Sequence, residues 1–496
     1  MIINFDWANG KPRPFWQSTG TVKFNFDWAN GSPCVIINPS YEESIKSLER
    51  DIKPKVEIYF DGIGEASVIL SSDNIANIDP FLEEAQADGD NPLGVVSANE
   101  INITLRNDDQ YFNPNNEDSP YYGKMHPNVL IKPYLGLRTT DISGYTSFEW
   151  ISLGYFYSTN WEAESDSIYA EVLCHDRLYD LGQKDTPLIP TMQNVTRYQM
   201  FETLFRALGL GSDNYEIDIS LQSDTIPIGY FYDGKVKTVL SKLAEAFNCS
   251  VFCTRDNKIK VLSNSTVGAS VITMSDSDLI KSSDMPQDFD SIYSDITIKY
   301  YHHNIEDVTS VLTIDELDIS AAGSTLTNLK FTLAPVAFVD HIRITDNPYI
   351  SINSVAIGTW GMDISFDNSA PTNQQIKLEV LGYPIMTIEN EITERDDTAY
   401  ALIGEKILDI SNPLIQLASD ASALATVILP IVADPKAYIE CETRGDMSRE
   451  LGETITIDDD TNKVGEVEII PIRYDYAYDG GLECFIRGIK KSLRES

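Results

Sequence analysis

Five histidines, His126, His175, His302, His303 and His341, are the side chains best suited to acid–base or metal chemistry near neutral pH. Their spacing argues against it. His302 and His303 are neighbours on a segment that reads as a strand, so they project to opposite faces and cannot share a metal ion. His175 and Asp176 stand in the same relation and cannot orient one another. The sequence has neither a His-Glu-x-x-His pair nor a Gly-x-Ser-x-Gly elbow. The five are read as isolated core or surface histidines.

Thiols and carboxylates fare no better. Cys249 and Cys253 are the closest pair of six cysteines. On a strand, four residues at ~3.3 Å each hold them roughly 13 Å apart. A disulfide needs Cα atoms within ~7 Å, so all six are expected to be reduced fillers. Asp458-Asp459-Asp460-Thr461-Asn462 opens like a calcium loop, but Lys463 stands where the sharp turn needs Gly and Ile469 where the bidentate Glu belongs. Asp108, Asp109 and Glu117 share one loop, for which turn chemistry is the simpler reading. Paired carboxylates for glycoside hydrolysis carry no signal, since 76 acids supply such pairs by chance. Arg444-Gly445-Asp446 matches an adhesion triplet and also reads as a turn. No catalytic, cofactor-binding or metal-ligating residue is assigned, no cofactor is expected, and the chain is not expected to be an enzyme.

The elements that would position any site are mostly strands. The 496 residues are 42% hydrophobic and 10% aromatic, enough for three or four domains at ~100–200 residues each. Against 37 basic residues, 76 acidic ones give a net charge of −39. Such a surface repels phosphates, which argues against specific nucleic-acid binding. It serves solubility, or a carboxylate-lined wall that holds passing DNA away. The longest apolar run, Val427 to Ala433, is broken by Pro430 and falls short of the ~20 residues that span a bilayer. No membrane insertion is expected. Met1-Ile2-Ile3-Asn4-Phe5-Asp6 lacks the basic start of a secretory signal, which leads to the expectation of synthesis in a cytoplasm.

Near the start, Asn4-Phe5-Asp6-Trp7-Ala8-Asn9-Gly10 recurs as Asn25-Phe26-Asp27-Trp28-Ala29-Asn30-Gly31. Each copy alternates apolar and polar residues before Asn-Gly, the pattern of a β-hairpin. From Lys55 to Gly182 strands dominate, as in Val56-Glu57-Ile58-Tyr59 and Ile101-Asn102-Ile103-Thr104-Leu105. Thr196 and Gln199 have capping-box spacing before a helix with Phe201, Leu204, Phe205 and Leu208 on one face, stopped by Gly209. A second helix runs from about Lys235 to Asn248, and a hairpin turns at Arg255-Asp256-Asn257-Lys258. Strands resume from Val267. A helix is expected from Asp396 and Asp397 to about Leu408, ended by Asn412-Pro413, and another around Ala421, Leu424, Ala425 and Ile428.

Several segments, in their order, resemble the tail-hub family of phages: the tail-associated proteins of long-tailed phages and the baseplate hubs of contractile ones. They are Asn102-Ile103-Thr104-Leu105-Arg106-Asn107-Asp108-Asp109-Gln110-Tyr111-Phe112-Asn113-Pro114 with Ser119-Pro120-Tyr121-Tyr122-Gly123, then Leu153-Gly154-Tyr155-Phe156 and Ala170-Glu171-Val172-Leu173-Cys174-His175-Asp176. Ile226-Pro227-Ile228-Gly229-Tyr230-Phe231 follows, then Leu381-Gly382-Tyr383-Pro384, Ser411-Asn412-Pro413-Leu414-Ile415 and Glu450-Leu451-Gly452-Glu453-Thr454-Ile455. The resemblance spans roughly residues 50 to 490. The duplicated hairpins have no counterpart in it.

The resemblance implies a mainly β, α+β multidomain chain with two tube-like antiparallel β-barrels. The expected divisions are a duplicated hairpin arm over 1–48, a first barrel over 49–185, a small α+β domain over 186–265, a second barrel beginning over 266–390, a helical insertion over 391–435, and the second barrel's last strands over 436–496. It also implies a homotrimer at the tail tip of a virion, where six barrels match a hexameric tail tube. Implied partners are the distal tail and tail-tube proteins, the tape-measure protein's C-terminus, a central spike or fibre, and passing DNA that is not specifically bound. The channel would be gated for DNA ejection. A receptor-binding tip module, a sixfold distal-tail ring and a cell-wall-degrading tail enzyme are the alternatives, in that order.

Overall fold

The computed structural model describes residues 39–86, 93–140, 146–164, 167–285, 292–345, 347–461 and 465–494. The two N-terminal hairpins read from the repeat lie outside the described residues. The chain divides into two units, one of residues 1–51 and 136–150, the other of 52–135 and 151–496. In the first, Pro39–Lys46 is helical, Arg138 pairs with Asp51 at 3.5 Å, and Gly136 leaves room for the Trp150 ring, which a Cβ would meet at 2.7 Å.

The second unit is mainly β, as expected. The largest sheet among the described residues has 14 strands. Its path runs through Leu279–Asp284, Tyr438–Thr443, Leu482–Lys490, Gly465–Tyr478, Ile75–Glu84, Glu100–Arg106, Tyr169–His175, Phe156–Glu162, Leu130–Thr140, Ile52–Tyr59 and Val68–Leu70. Thr454–Asp459 adds to Gly465–Tyr478 and carries Ser270–Ser275 in parallel, and Thr146–Ser152 adds to Leu130–Thr140. The strands alternate: Leu482–Lys490 buries Leu482, Cys484 and Ile486 and turns Glu483, Phe485 and Arg487 outward. Alternation of this kind buries one face of a sheet and leaves the other wet.

The strand pairing differs from the expected grouping. Of the expected 266–390 stretch, Ser270–Ser275 and Leu279–Asp284 do pair with strands of 436–496, but among the described residues no strand of 292–390 does. Through Gly465–Tyr478 and Ile75–Glu84 the 436–496 strands also join the sheet of the first β region, so the two expected barrels share one continuous sheet. Residues Asp295 to Arg395 build their own sheets instead. Asp295–Ile305 and Thr309–Ile319 follow one side of the long strand Gln374–Arg395, and Val336–Ile344 lies on part of its other side. A three-stranded sheet of Ser324–Lys330, Gly361–Asn368 and Ile350–Ile357 closes over them, enclosing Val311, Met362, Phe366, Leu378 and Val380.

The small α+β region follows its sequence signals. Thr196 Oγ1 accepts from Gln199 N at 3.1 Å while Gln199 Oε1 accepts from Thr196 N at 3.0 Å, so the capping box forms at Arg197–Ala207. Val236–Phe247 buries the expected stripe and ends at Asn248, whose φ of +50° favours Asn. Cys249–Cys253 and Ile259–Ser263 form the hairpin. The helix expected up to Leu408 is shorter. It ends at Ile403 because Gly404, at φ +79°, turns the chain away. The alternating Ile407–Ser411 then pairs in parallel with Asp295–Lys299. The helix Ala418–Ala433 packs Ala421, Leu424, Ala425 and Ile428 into the core of the α+β region beside Leu240, Leu243, Ile296 and Ile298.

Candidate functional site

The place where distant parts of the chain converge is the seam between Ile75–Glu84 and Gly465–Tyr478. The register sets Arg473 opposite Glu84, Tyr474 opposite Glu83, Asp475 opposite Leu82 and Tyr476 opposite Phe81. Strand parity then sorts the side chains. Phe81, Glu83, Tyr474 and Tyr476 point into the core, and Phe81 stacks on Tyr476 at 5.3 Å. Leu82, Glu84, Arg473 and Asp475 lie on the opposite face.

A carboxylate on the core face requires a partner, and Arg255 supplies it. Arg255 stands in the turn of the Cys249–Cys253 hairpin, where Asn257 takes φ +63° and Asn257 N donates to Thr254 O at 2.9 Å. Its Nε donates to Glu83 Oε1 at 2.8 Å and its Nη2 to Glu83 Oε2 at 2.5 Å, and Nη1 donates to Met447 O. The guanidinium also lies 5.5 Å from the Phe81 ring centre and 5.9 Å from that of Tyr476. One side chain thus joins the first β region, the small α+β region and the C-terminal strands. Burial pushes the Glu83 carboxyl above its ordinary value against the pull of Arg255. Burial disfavours the Arg255 charge too, but the Glu83 carboxylate overcomes this and keeps the guanidinium protonated.

Asn99 and Asp176 reinforce the junction. Asn99 Oδ1 accepts from Glu84 N at 3.0 Å, its Nδ2 donates to Cys253 O at 2.9 Å, and its N donates to Asp176 Oδ2 at 2.9 Å. Asp176 also caps the helix Arg177–Gln183 by accepting from Leu178 N at 2.8 Å. Burial pushes the Asp176 carboxyl up to about 7, although these N–H groups favour its anion.

Each half of the sheet curls back on itself through a buried hydrogen bond. In one, Tyr478 Oη donates to Ile52 O at 3.1 Å, bringing Gly465–Tyr478 to the start of Ile52–Tyr59. In the other, Ser283 N and Oγ both donate to Asp459 Oδ2 at 2.6 Å, tying Leu279–Asp284 to Thr454–Asp459.

The polar face of the sheet carries paired charges. Lys281 meets Glu442 at 3.3 Å, Arg487 meets Glu440 at 3.4 Å, Arg473 meets Asp475 at 3.2 Å, His175 meets Glu100 at 3.0 Å and Lys55 meets Glu57 at 3.2 Å. Tyr134 joins the last group: burial, then the Glu57 charge, push its phenol up to about 12. This face mixes carboxylates with their cations and is not a bare acidic wall.

The residues weighed for chemistry do not converge. His302 and His303 do project to opposite faces; His303 is buried between Thr387 Oγ1 at 3.1 Å and Pro413 O at 2.8 Å. His126 bonds Pro127 O at 2.8 Å, and His341 bonds Asp340 at 2.6 Å. Among the described residues, no group of three or more His, Cys, Asp or Glu is placed to hold a metal. Asp459, from the calcium-like run, is fully buried on Ser283. Asp109 Oδ1 accepts from Tyr111 N at 3.1 Å in an ordinary turn. Asp446 of the Arg-Gly-Asp triplet is held by Arg449 at 3.2 Å and Ser448 Oγ at 2.7 Å with 11% of its side chain exposed, so the triplet is not presented to solvent. The five described cysteines are buried, and burial raises their thiols, Cys441 to about 12. A cavity of about 500 Å³ lies beside Arg197, Phe247 and Asp420, but Arg197 is committed to Asp224 at 3.1 Å and Asp420 at 3.4 Å.

No family model matches the chain, and no curated protein does either. Solved structures do. The tail protein from Neisseria meningitidis MC58 superposes with a TM-score of 0.50 at 8% identity, covering 90% of this chain and 98% of that one. The chain has a tail-protein fold. The 43 kDa tail protein of prophage MuSo2 from Shewanella oneidensis scores 0.48 at 11% identity (89% and 99% covered), and prophage tail protein gp18 from Listeria monocytogenes EGD-e scores 0.45 at 9% (89% and 96%). The tail-protein fold agrees with the family resemblance read from the motifs. The motifs did not reveal the seam. Its signal was the parity of Phe81 and Glu83, which sets a carboxylate beside an aromatic on the core face of Ile75–Glu84.

Proposed function

We propose that this chain is a structural, non-catalytic subunit of a phage-type tail, a tip hub of three copies that joins a hexameric tube to a threefold spike or fibre. The observation that carries this reading is the continuous sheet with two curled halves in one polypeptide. Three copies would offer six such halves, which lets a threefold object meet a sixfold one. The tail-protein fold agrees with this role.

In this reading the polar face lines a channel. Its ion pairs keep the wall hydrated and hold the paired cations on carboxylates, which disfavours phosphate binding, so DNA passes without specific binding. The Glu83–Arg255 clamp holds the two halves at a fixed angle. Assembly draws on buried area between subunits, and the partners are the tube above, the spike or fibre below and the tape-measure protein's C-terminus. The channel opens for ejection by movement of subunits or of that terminus.

Mass measurement of the assembled particle, with low-resolution imaging, tests this. Three copies in a ring at the tail tip are expected. Six copies would replace the hub with a distal-tail ring, and copies only on peripheral fibres would replace it with a receptor-binding module.

A further inference from the structure

The long strand Gln374–Arg395 is used unevenly. On one side it is paired throughout, and from Asp295↔Arg395 to Ile305↔Ile385 the register never shifts. On the other, Val336–Ile344 covers it only between Leu378 and Pro384, and Ile385 N makes a last bond to Pro335 O at 2.8 Å. From Met386 to Arg395 no described strand occupies that side. Alternate N–H and C=O groups along this stretch therefore face outward.

Edges of folded proteins are usually short, bulged, interrupted by Pro or guarded by Lys. Met386-Thr387-Ile388-Glu389-Asn390-Glu391-Ile392-Thr393-Glu394-Arg395 is long, has no bulge against Asp295–Ile305, and has neither Pro nor Lys; its charges are Glu389, Glu391, Glu394 and Arg395. One of its faces carries Met386, Ile388, Asn390, Ile392 and Glu394, of which Met386 and Ile388 are 48% and 41% exposed and Ile392 packs against the core of the α+β region. The other carries Glu389 and Glu391, of which Glu389 already pairs with Lys299 at 2.8 Å.

We propose that this edge is a docking site for an extended segment of a different polypeptide, added as a further strand collinear with Val336–Ile344. Its chemistry follows from the two faces: apolar side chains against Met386, Ile388 and Ile392, alternating with Lys or Arg against Glu389 and Glu391. A second copy of the same edge is a poorer occupant, because antiparallel self-pairing centred on Asn390 sets Glu389 opposite Glu391 and the copies each carry a charge of −39. This inference stands apart from the tail role and does not need it.

The test is hydrogen exchange on the full chain titrated with a ten-residue peptide alternating valine and lysine. Amides within 386–395 should slow by about tenfold or more at saturation. A valine–glutamate peptide should give no protection, nor should the lysine peptide N-methylated at alternate residues, and Glu391→Lys should weaken binding with an unchanged melting temperature. The proposal is overturned by no protection of the edge, by equal protection from both charge types, or by protection that survives N-methylation. Protection that grows with protein concentration alone also overturns it, by making a second copy the occupant.

Discussion

The strands Gly465–Tyr478 and Gln374–Arg395 are both long, and their edges meet opposite fates. From Ile469 to Tyr478 the first is covered on one side by Leu482–Lys490, and on the other side it meets in turn Thr454–Asp459 and Ile75–Glu84. The second is open beyond Ile385. The covered strand turns Tyr474, Tyr476 and Tyr478 inward, and its partner brings Phe81 and Glu83, so apolar area and a bidentate ion pair lock the register. The open stretch buries none of its residues from Met386 to Arg395. Backbone pairing capacity is equal in the two cases. Long-range pairing is decided by which strand offers a face that another part of the chain must bury.

The comparison can be broken hardest at Arg255. Arg255→Met leaves the Glu83 carboxyl buried without its partner and should cost about 3–5 kcal/mol in denaturant unfolding. The double change Arg255→Met with Glu83→Leu should recover most of that loss, because a buried pair is close to neutral against a well-packed apolar pair. A single variant of parental stability would mean that the clamp does not hold the seam.

Asp176 gives the seam a pH dependence. Its carboxyl is raised to about 7 in the folded chain, against about 4 when unfolded. The folded state therefore binds this proton more tightly. Its contribution to stability is complete below about pH 4 and is lost as pH rises to about 7, with a slope of up to about 1.4 kcal/mol per unit. Asp176→Asn should flatten that part of the stability profile, measured by melting temperature across pH 4–8.

A smaller effect is expected at Tyr478. Tyr478→Phe removes the bond to Ile52 O and should cost about 1 kcal/mol while leaving the far-ultraviolet spectrum unchanged. On the open edge, Glu391→Lys should change stability by less than about 0.5 kcal/mol, since the residue is exposed. A large loss there would mean that the edge is already occupied within the chain.

Much was legible from local pattern. Thr196 and Gln199 announced a capping box, Arg255 to Lys258 a hairpin turn, and the alternation of Ile101 to Leu105 a strand, because each depends on residues a few positions apart. The helix beginning at Asp396 was placed correctly at its start and too long at its end, because Gly404 is a weak breaker in sequence and Ile407 to Ser411 fit either period. The grouping of strands into sheets was not legible. Glu83 meets Arg255 across 172 residues of chain and Tyr474 across still more, and no local preference encodes that choice.

The amino-acid order by itself determined the strand-rich class, the faces of the helices, the scarcity of histidine and the acidic balance, since all are set by periodicity and composition. Only the tertiary structure decided that the C-terminal strands complete the first sheet, that Arg255 neutralises Glu83, and that one stretch of edge is left open. Those outcomes arise from competition among distant surfaces for burial, in which a charged group on a core face is tolerated only where the rest of the fold delivers its counter-ion.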